Sequence, residues 1–254
     1  MAQRRSKKKR PSREKHMLRE QLKIEQGVFD KRTMMNLRPF FTHGIISKLY
    51  FLTARGKEAD IYIAEAGQGV NDNLVIVKIF RIETSSFDKR LDYIIGDPRF
   101  EKIKNGIFQI VYAWCKKEYG NLKLAQEAKI NAPKPYMFSG NVLAMQFIGS
   151  NGMPASSLKE TKLSNPNEML YEIILSIKKL YKIGLVHSDI SEYNILISEG
   201  KPYIIDFGQA VVLAHPKAIE FLKRDINNVI AYFSKNYGIN EDAEKIFSDI
   251  VKQG

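Results

Sequence analysis

An α+β fold in two unequal lobes is predicted for this chain. A β-rich N-terminal lobe with one main helix precedes a mostly helical C-terminal lobe. Three observations predict it. Short β-branched and aromatic runs crowd residues 48–80. Apolar residues recur at three- and four-residue spacing after residue 165. Between them, Val142–Gly149 (VLAMQFIG) reads as a buried strand running into a glycine turn.

The elements follow in order. Residues 33–43 (TMMNLRPFFTH) suit a short helix, with Pro39 a warning inside it. KLYFLT, ADIYIAEA and NLVIVKIF read as three strands separated by glycine or asparagine turns. Residues 81–110 carry Gly96-Asp97-Pro98 and Asn105-Gly106 and read as an irregular, flexible loop. Residues 112–131 suit a helix ended by Pro133 and Pro135, with Gly120 its weak spot. Asn165-Pro166-Asn167-Glu168 is a helix start, with an N-cap, proline at the first helical position and an acid in the first turn. That helix runs through Met169, Ile173, Ile177 and Leu180 to Gly184. NILIS and PYIIDF are strands joined by the Glu199-Gly200-Lys201 turn, and two amphipathic helices close the chain. The first is seeded near Pro216 and uses Ile219, Leu222, Ile226, Val229, Ile230 and Phe233.

Composition narrows the class. With 254 residues, 44% hydrophobic and 27% charged, the chain has enough apolar material for a sizeable core. A single cysteine, Cys115, excludes an intrachain disulfide and suits a reducing compartment. No apolar run approaches the roughly 20 residues of a membrane span, and the charged N-terminus lacks a signal-peptide core. A cytoplasmic location is the expectation. The formal net charge is +12, and residues 1–19 hold nine Lys/Arg against one acid, Glu14. Such an arm is either a solubilising tail or a contact for phosphate backbones, bound through counterion release.

The chemistry concentrates in two segments. Leu185–Leu196 holds His187, Asp189 two residues on, and Asn194 five after that. Twelve residues past Asn194 comes Asp206-Phe207-Gly208. Each triplet alone is weak; together, joined by a strand, turn and strand, they resemble the catalytic and metal-binding loops of protein kinases. Transfer of a γ-phosphoryl group develops charge on oxygens, and Mg²⁺ prefers a few hard oxygen ligands. The Asp206 carboxylate and the Asn194 amide oxygen supply two. Asp189 is then free to orient an acceptor hydroxyl or water and take its proton. His187 reads as a brace of the loop.

Lys78 lies inside the apolar strand Leu74–Phe80, an expensive place for an unpaired ammonium. One reading is an edge-strand lysine reaching water; the other pairs it with nucleotide phosphates and a helix glutamate. Glu118 and Glu127 are the candidates. Glu118 is preferred, because it falls mid-helix beside Trp114 and Leu122. The slot before the lysine, Thr53–Asp60, holds Gly56 and Lys57 and is neither a three-glycine loop nor a Walker A.

These residues together resemble the RIO family of atypical protein kinases. The resemblance rests on Gly56-Lys57-Glu58-Ala59, on His187–Asn194, and on Ile205–Ala210 with its Gln209. It extends through Val28–Thr33, Gly96–Phe100, Lys117–Leu122, and His215-Pro216 to Arg224-Asp225, covering about residues 24–236. The type 1 branch fits: fewer than 50 residues precede the first strand, leaving no room for the type 2 winged-helix domain. The resemblance implies a two-lobed protein-kinase-like fold with a truncated C-lobe. It implies ATP and Mg²⁺ (Mn²⁺ as a substitute), serine autophosphorylation, and a role in maturing the small ribosomal subunit, with the basic tail on its rRNA. By position, Lys78 and Glu118 form the ion pair, Asp189 is catalytic, and Asn194 with Asp206 bind metal. Asp206 is also the acceptor of a phosphoaspartate intermediate. Gly56 and Lys57 cover the phosphates, Met145, Gln146 and Ile148 form the adenine hinge, and Gln146 replaces a family glutamate. Ser85 and Ser86 are the autophosphorylation candidates.

The implied organisation is a basic tail at 1–23, an N-lobe at 24–144, a hinge at 145–150 and a C-lobe at 151–254. Two substitutions stand out against ordinary kinases. Ser188 replaces the arginine that clamps a phosphorylated activation loop. Ser191 replaces a lysine near the transferring phosphate, which predicts slow transfer. Only 45 residues follow Gln209, room for about two helices and no broad peptide platform. Three activities therefore stand: a protein kinase, an ATPase switch timing release from a pre-ribosome, and a small-molecule kinase, which the 56–59 motif and Ser191 disfavour.

Overall fold

A computed structural model describes residues 29–82, 87–100 and 106–252. The basic tail at 1–23 and the serines Ser85 and Ser86 lie outside these residues. Helix α1 spans Lys31–Thr42, capped by Asp30, whose carboxylate accepts from the Arg32 and Thr33 N–H groups. It continues past Pro39 for three residues. Strands β1 (Ile46–Arg55), β2 (Ala59–Ala66), β3 (Leu74–Phe80), β4 (Pro135–Ser139) and β5 (Val142–Gln146) form an antiparallel sheet in the order β1-β2-β3-β5-β4.

Both faces of that sheet are covered, which explains why β3 reads as an almost unbroken apolar run. Alternate residues Val75, Val77 and Ile79 pack with Leu37 and Phe40 of α1. The intervening Ile76 and Phe80 belong to the larger core. That core runs from the sheet through Trp114 and Leu122 into the second lobe. The two lobes thus share one apolar cluster, and a second lies between the sheet and α1.

The stretch 81–110 is not one irregular loop. It contains helix α2 (Phe87–Ile94), a 3-10 turn at Pro98–Phe100 and the start of α3 (Ile107–Glu127). Ile94 is buried, and Gly96 turns with φ +91° against Pro216. Helix α3 begins five residues earlier than its periodicity suggests and runs through Gly120. Strand β4 went unread, because Pro133 and Pro135 register only as helix stops.

Two narrow ladders follow: β6 (Gly149–Ser150) with β7 (Met153–Pro154), and β8 (Ser156–Ser157), which later pairs with β10. Helix α4 (Pro166–Lys182) starts where its sequence says, but Asn165 does not cap it; its side chain instead donates to Glu168 at 2.7 Å. Then come β9 (Leu185–Val186), β10 (Ile195–Ser198), β11 (Lys201–Ile204) and β12 (Val211–Val212). Helices α5 (Ala218–Tyr237) and α6 (Ala243–Lys252) complete the second lobe. In α5 the buried stripe uses Ala218, Phe221 and Leu222, and Ile219 faces outward. Among the described residues, no helix is long and apolar enough to cross a membrane.

Candidate active site

The sheet, α3, β10 and the loop after β11 converge on a cavity of about 490 Å³, a size suited to a nucleotide. Lys78 enters it from the centre of the sheet, not its edge; its register partners are Ile61 on β2 and Leu143 on β5. Its Nζ donates to both Glu118 oxygens at 2.8 Å and to Asp206 Oδ1 at 2.9 Å. Glu118 is buried on the inner face of α3, whereas Glu127 is exposed near the helix end. Burial works against the Lys78 charge, but the Asp206 and Glu118 carboxylates outweigh it and hold the ammonium protonated. Burial pushes the Glu118 carboxyl up to about 7, with Lys78 pulling it back. Asp206 is half exposed, and against its partial burial Lys78 keeps its carboxyl below the usual range.

Beside the cavity-lining Gln209, Asp189 Oδ2 accepts from Asn194 Nδ2 and from Gln209 Nε2, both at 3.0 Å. Burial, then the Asp206 charge, raises its carboxyl to about 6. His187 is buried edge-on to Phe207, with ring centroids 4.7 Å apart, and its Nε2 donates to the Ile205 carbonyl. Burial lowers its imidazole to about 4, so it is neutral at ordinary pH and braces the loop.

Each loop contains a residue in left-handed backbone geometry, Ser188 at φ 69° and Asp206 at φ 64°. For non-glycine residues this costs free energy that neighbouring contacts must offset. Asp225 on α5 supplies them for the first loop. Its two oxygens accept from the Ser188 N–H at 2.7 Å and the Ile190 N–H at 2.9 Å. Arg224 donates to the Ser188 carbonyl, and Asn228 to that of Ile190. An arginine therefore does reach position 188, but from α5 and onto the backbone. For the second loop the contacts come from α3. Lys117 Nζ donates to the carbonyls of Gly208, at 3.1 Å, and Ala210. Asn121 Nδ2 donates to those of Phe207 and Ala210, at 2.9 and 2.8 Å. Arg99 donates to Asn121 Oδ1 and pairs with buried Asp97, extending the tie to the segment after α2.

These clamps were not assigned roles by sequence reasoning, though a signal exists. Asp225 interrupts the apolar stripe Leu222–Ile226–Val229, and Lys117 and Asn121 sit among Trp114, Leu122 and Ala125. A polar group on an inward face requires a partner.

The remaining site residues line the same cavity: Gly56, Lys57, Met145, Gln146 and Ile148. Gly56 closes the β1–β2 turn, its N–H donating to the Ala59 carbonyl at 2.9 Å. At the hinge, the Gln146 N–H donates to the Lys134 carbonyl and the Ile148 carbonyl accepts from the Ala155 N–H. Of the two backbones expected to hold adenine, each thus has one group already engaged. The Ile148 N–H has no partner among the described residues.

A divalent ion fits the donors present. Asp206 gives Oδ1 to Lys78 and lines the cavity. Asn194 spends its amide N–H on Asp189, leaving Oδ1 without a partner among the described residues. Two hard oxygens completed by phosphates and water suit Mg²⁺. No group of three or more His, Cys, Asp or Glu able to hold a metal occurs among the described residues.

Against known families, the RIO domain matches residues 60–246. The RIO-type serine/threonine-protein kinase Rio1 of Haloferax volcanii is 39% identical over 91% of this chain and 79% of its own length. The protein of the same name from Methanocaldococcus jannaschii is 40% identical over 85% and 73%. That from Thermoplasma acidophilum is 43% identical over 70% and 94%. Among solved structures, Rio2 kinase of Chaetomium thermophilum aligns with TM-scores of 0.65 and 0.66 at 20% identity. The alignments cover 85% of this chain and 65% and 66% of those chains; the first is an ADP/Mg²⁺-phosphoaspartate complex. The fold is thus kinase-like, and the chain belongs to the RIO family, among relatives of the Rio1 type.

Proposed function

We propose that this RIO-family chain is an atypical serine/threonine protein kinase that uses ATP and Mg²⁺. The observation that carries the reading is Lys78 held between Glu118 and Asp206 at 2.8–2.9 Å in a cavity that all three line, with Asp189 tied to its Gln209 at 3.0 Å. In it, adenine lies at Met145–Ile148 and the β1–β2 turn with Gly56 and Lys57 covers the phosphates. Lys78 binds the α- and β-phosphates, and Glu118 fixes its position. Mg²⁺ on Asp206 and Asn194 neutralises the transferring phosphoryl group. Asp189 orients the acceptor hydroxyl and takes its proton; a carboxyl raised to about 6 suits a general base near neutral pH.

The finer proposals are serine autophosphorylation, a role in small-subunit maturation and a cytoplasmic site of action. They rest on the family resemblance and on the arm of nine basic residues. Binding to small-subunit rRNA is expected to weaken steeply with salt and to weaken further without residues 1–23.

The experiment incubates the protein with γ-labelled ATP and Mg²⁺ beside an Asp189→Ala variant. Acid-stable label on serine in the parent alone supports a protein kinase. A labile, hydroxylamine-sensitive label would instead place an acyl phosphate on Asp206. Strong turnover on a small hydroxyl compound would revive the small-molecule alternative. Transfer is expected to fall below the roughly 1–100 s⁻¹ of ordinary kinases.

A further inference from the structure

Helix α1 lies outside residues 60–246, the span that the RIO domain matches. Yet one of its side chains ties together the elements that carry Lys78 and Glu118. The amide nitrogen of Asn36 donates twice, to Asn141 Oδ1 at 2.9 Å and to the Tyr112 hydroxyl oxygen at 3.1 Å. An amide nitrogen carries two protons, so both are used. Tyr112 lies on α3, the helix of Glu118. Asn141 lies between β4 and β5 and grips Phe80, the last residue of β3, from two sides. Its carbonyl accepts from the Phe80 N–H at 2.8 Å, and its Nδ2 donates to the Phe80 carbonyl at 2.9 Å. Phe80 in turn touches Lys78, whose Nζ lies 5.1 Å from the ring centroid. One arm from Asn36 thus ends on the strand of Lys78, and the other on the helix of Glu118.

The surroundings fit this amide closely. Asn141, Phe80 and Thr33 are all buried. Asn141 Nδ2 also donates to Thr33 Oγ1 at 3.0 Å. With the Phe80 carbonyl, that contact fixes which way the Asn141 amide faces and leaves Oδ1 for Asn36. Gly140 turns with φ +55°, and a Cβ there would lie 2.1 Å from Asn36 Nδ2. The apolar contacts of α1, through Leu37 and Phe40, hold it on the sheet. Such contacts are non-directional, whereas the two amide bonds are directional and fix how α1, β3 and α3 sit together.

We propose that Asn36 is a positioning residue for phosphoryl transfer, setting the spacing of Lys78 and Glu118 from outside the matched domain. The proposal rests on the nucleotide reading above, in which Lys78 binds the phosphates and Glu118 fixes its position. Adenine at the hinge touches neither. Loss of the Asn36 amide therefore weakens the hold on phosphates and leaves the hold on adenosine unchanged.

The test measures the affinities of ADP and of adenosine, with Mg²⁺, by calorimetry. It uses the full chain, Asn36→Leu, Tyr112→Phe and the double variant, each with its thermal melting curve. In Asn36→Leu the preference for ADP over adenosine is expected to fall at least roughly fivefold, the worth of about one hydrogen bond. Tyr112→Phe removes one arm and should lower it less. The double variant should match Asn36→Leu, because Tyr112 acts through Asn36. A lower melting temperature with the preference intact would make Asn36 a structural tie alone and overturn the proposal. A double variant weaker than Asn36→Leu overturns the shared path. If Asn36→Leu does not fold, Tyr112→Phe decides: an unchanged preference overturns the proposal, and a lowered one supports it. A parent that binds ADP no more tightly than adenosine overturns the nucleotide reading itself.

Discussion

The two loops joined by the hydrogen bond from Gln209 to Asp189 are held by opposite chemistry. The loop of Asp189 hangs from a carboxylate: Asp225 accepts its N–H groups from below. The loop of Asp206 hangs from an amine and an amide: Lys117 and Asn121 donate to its carbonyls. Each bears one left-handed, non-glycine residue. Neither can be held by a strand ladder, because its ends lie in the two-residue pair β9–β12 and the short β10–β11 hairpin. In these two loops strained backbone is held by buried side chains from helices, an acceptor where N–H groups face it and donors where carbonyls do.

The largest expected effect is at the carboxylate. Asp225→Ala leaves two N–H groups buried without acceptors, at ~1–3 kcal/mol each. A loss of roughly 3 kcal/mol in urea unfolding, with phosphoryl transfer nearly abolished, is expected. A cost under ~1 kcal/mol would mean that the 187–194 loop holds its own shape, and the comparison would break.

Lys117→Met comes next, and it should differ in its pH dependence. Burial lowers the Lys117 ammonium to about 7 from an ordinary 10.5. Between those values the unfolded chain carries a proton that the folded one lacks, so its contribution to stability rises with pH across that window. The methionine variant should lack this rise, so its deficit grows from pH 7 towards pH 10. Transfer should fall at least tenfold at every pH. Chemical denaturation at four or five pH values decides the sign.

Gly208→Ala sharpens the same side. An added Cβ would lie 3.0 Å from Trp114 Nε1, and overpacking of that kind costs ~1–3 kcal/mol. Trp114 is the sole tryptophan of the chain, so a shift in its emission should accompany the loss. Unaltered fluorescence would show that the loop yields instead of the ring.

The smallest effect belongs to Ser188→Gly. Glycine removes the cost of φ 69° but also the hydroxyl that donates to the Val186 carbonyl at 3.3 Å. The two should nearly cancel, leaving a change below ~1 kcal/mol. Thermal melting measures it, and a gain well above that would mean the strain at Ser188 exceeds what Asp225 offsets.

Much of the architecture was legible beforehand. Strand β2 has the bounds its pattern suggests, and β3 differs by one residue, because β-branched runs between turn residues leave little choice. Lys78 and Glu118 were legible because a charge in an apolar strand or on an inward helix face requires a partner. The helix at Phe87–Ile94 was not, since it is short and its neighbours are turn-forming residues. Strand β4 was hidden by prolines that suit a sheet edge as well as a helix end. The capping role expected of Asn165 failed because its side chain found Glu168 first.

The sequence by itself determined most of the longer strands and helices, the lone ammonium of β3, and the spacing of Asp189, Asn194 and Asp206. These follow from local propensity and from the cost of burying charge, which act within a few residues. The tertiary structure alone decided which buried groups serve the site. Asp225 lies 36 residues from Asp189, and Lys117 lies 91 from Gly208. Pairings at that range depend on how helices pack against loops, and no local rule of period or propensity carries that information.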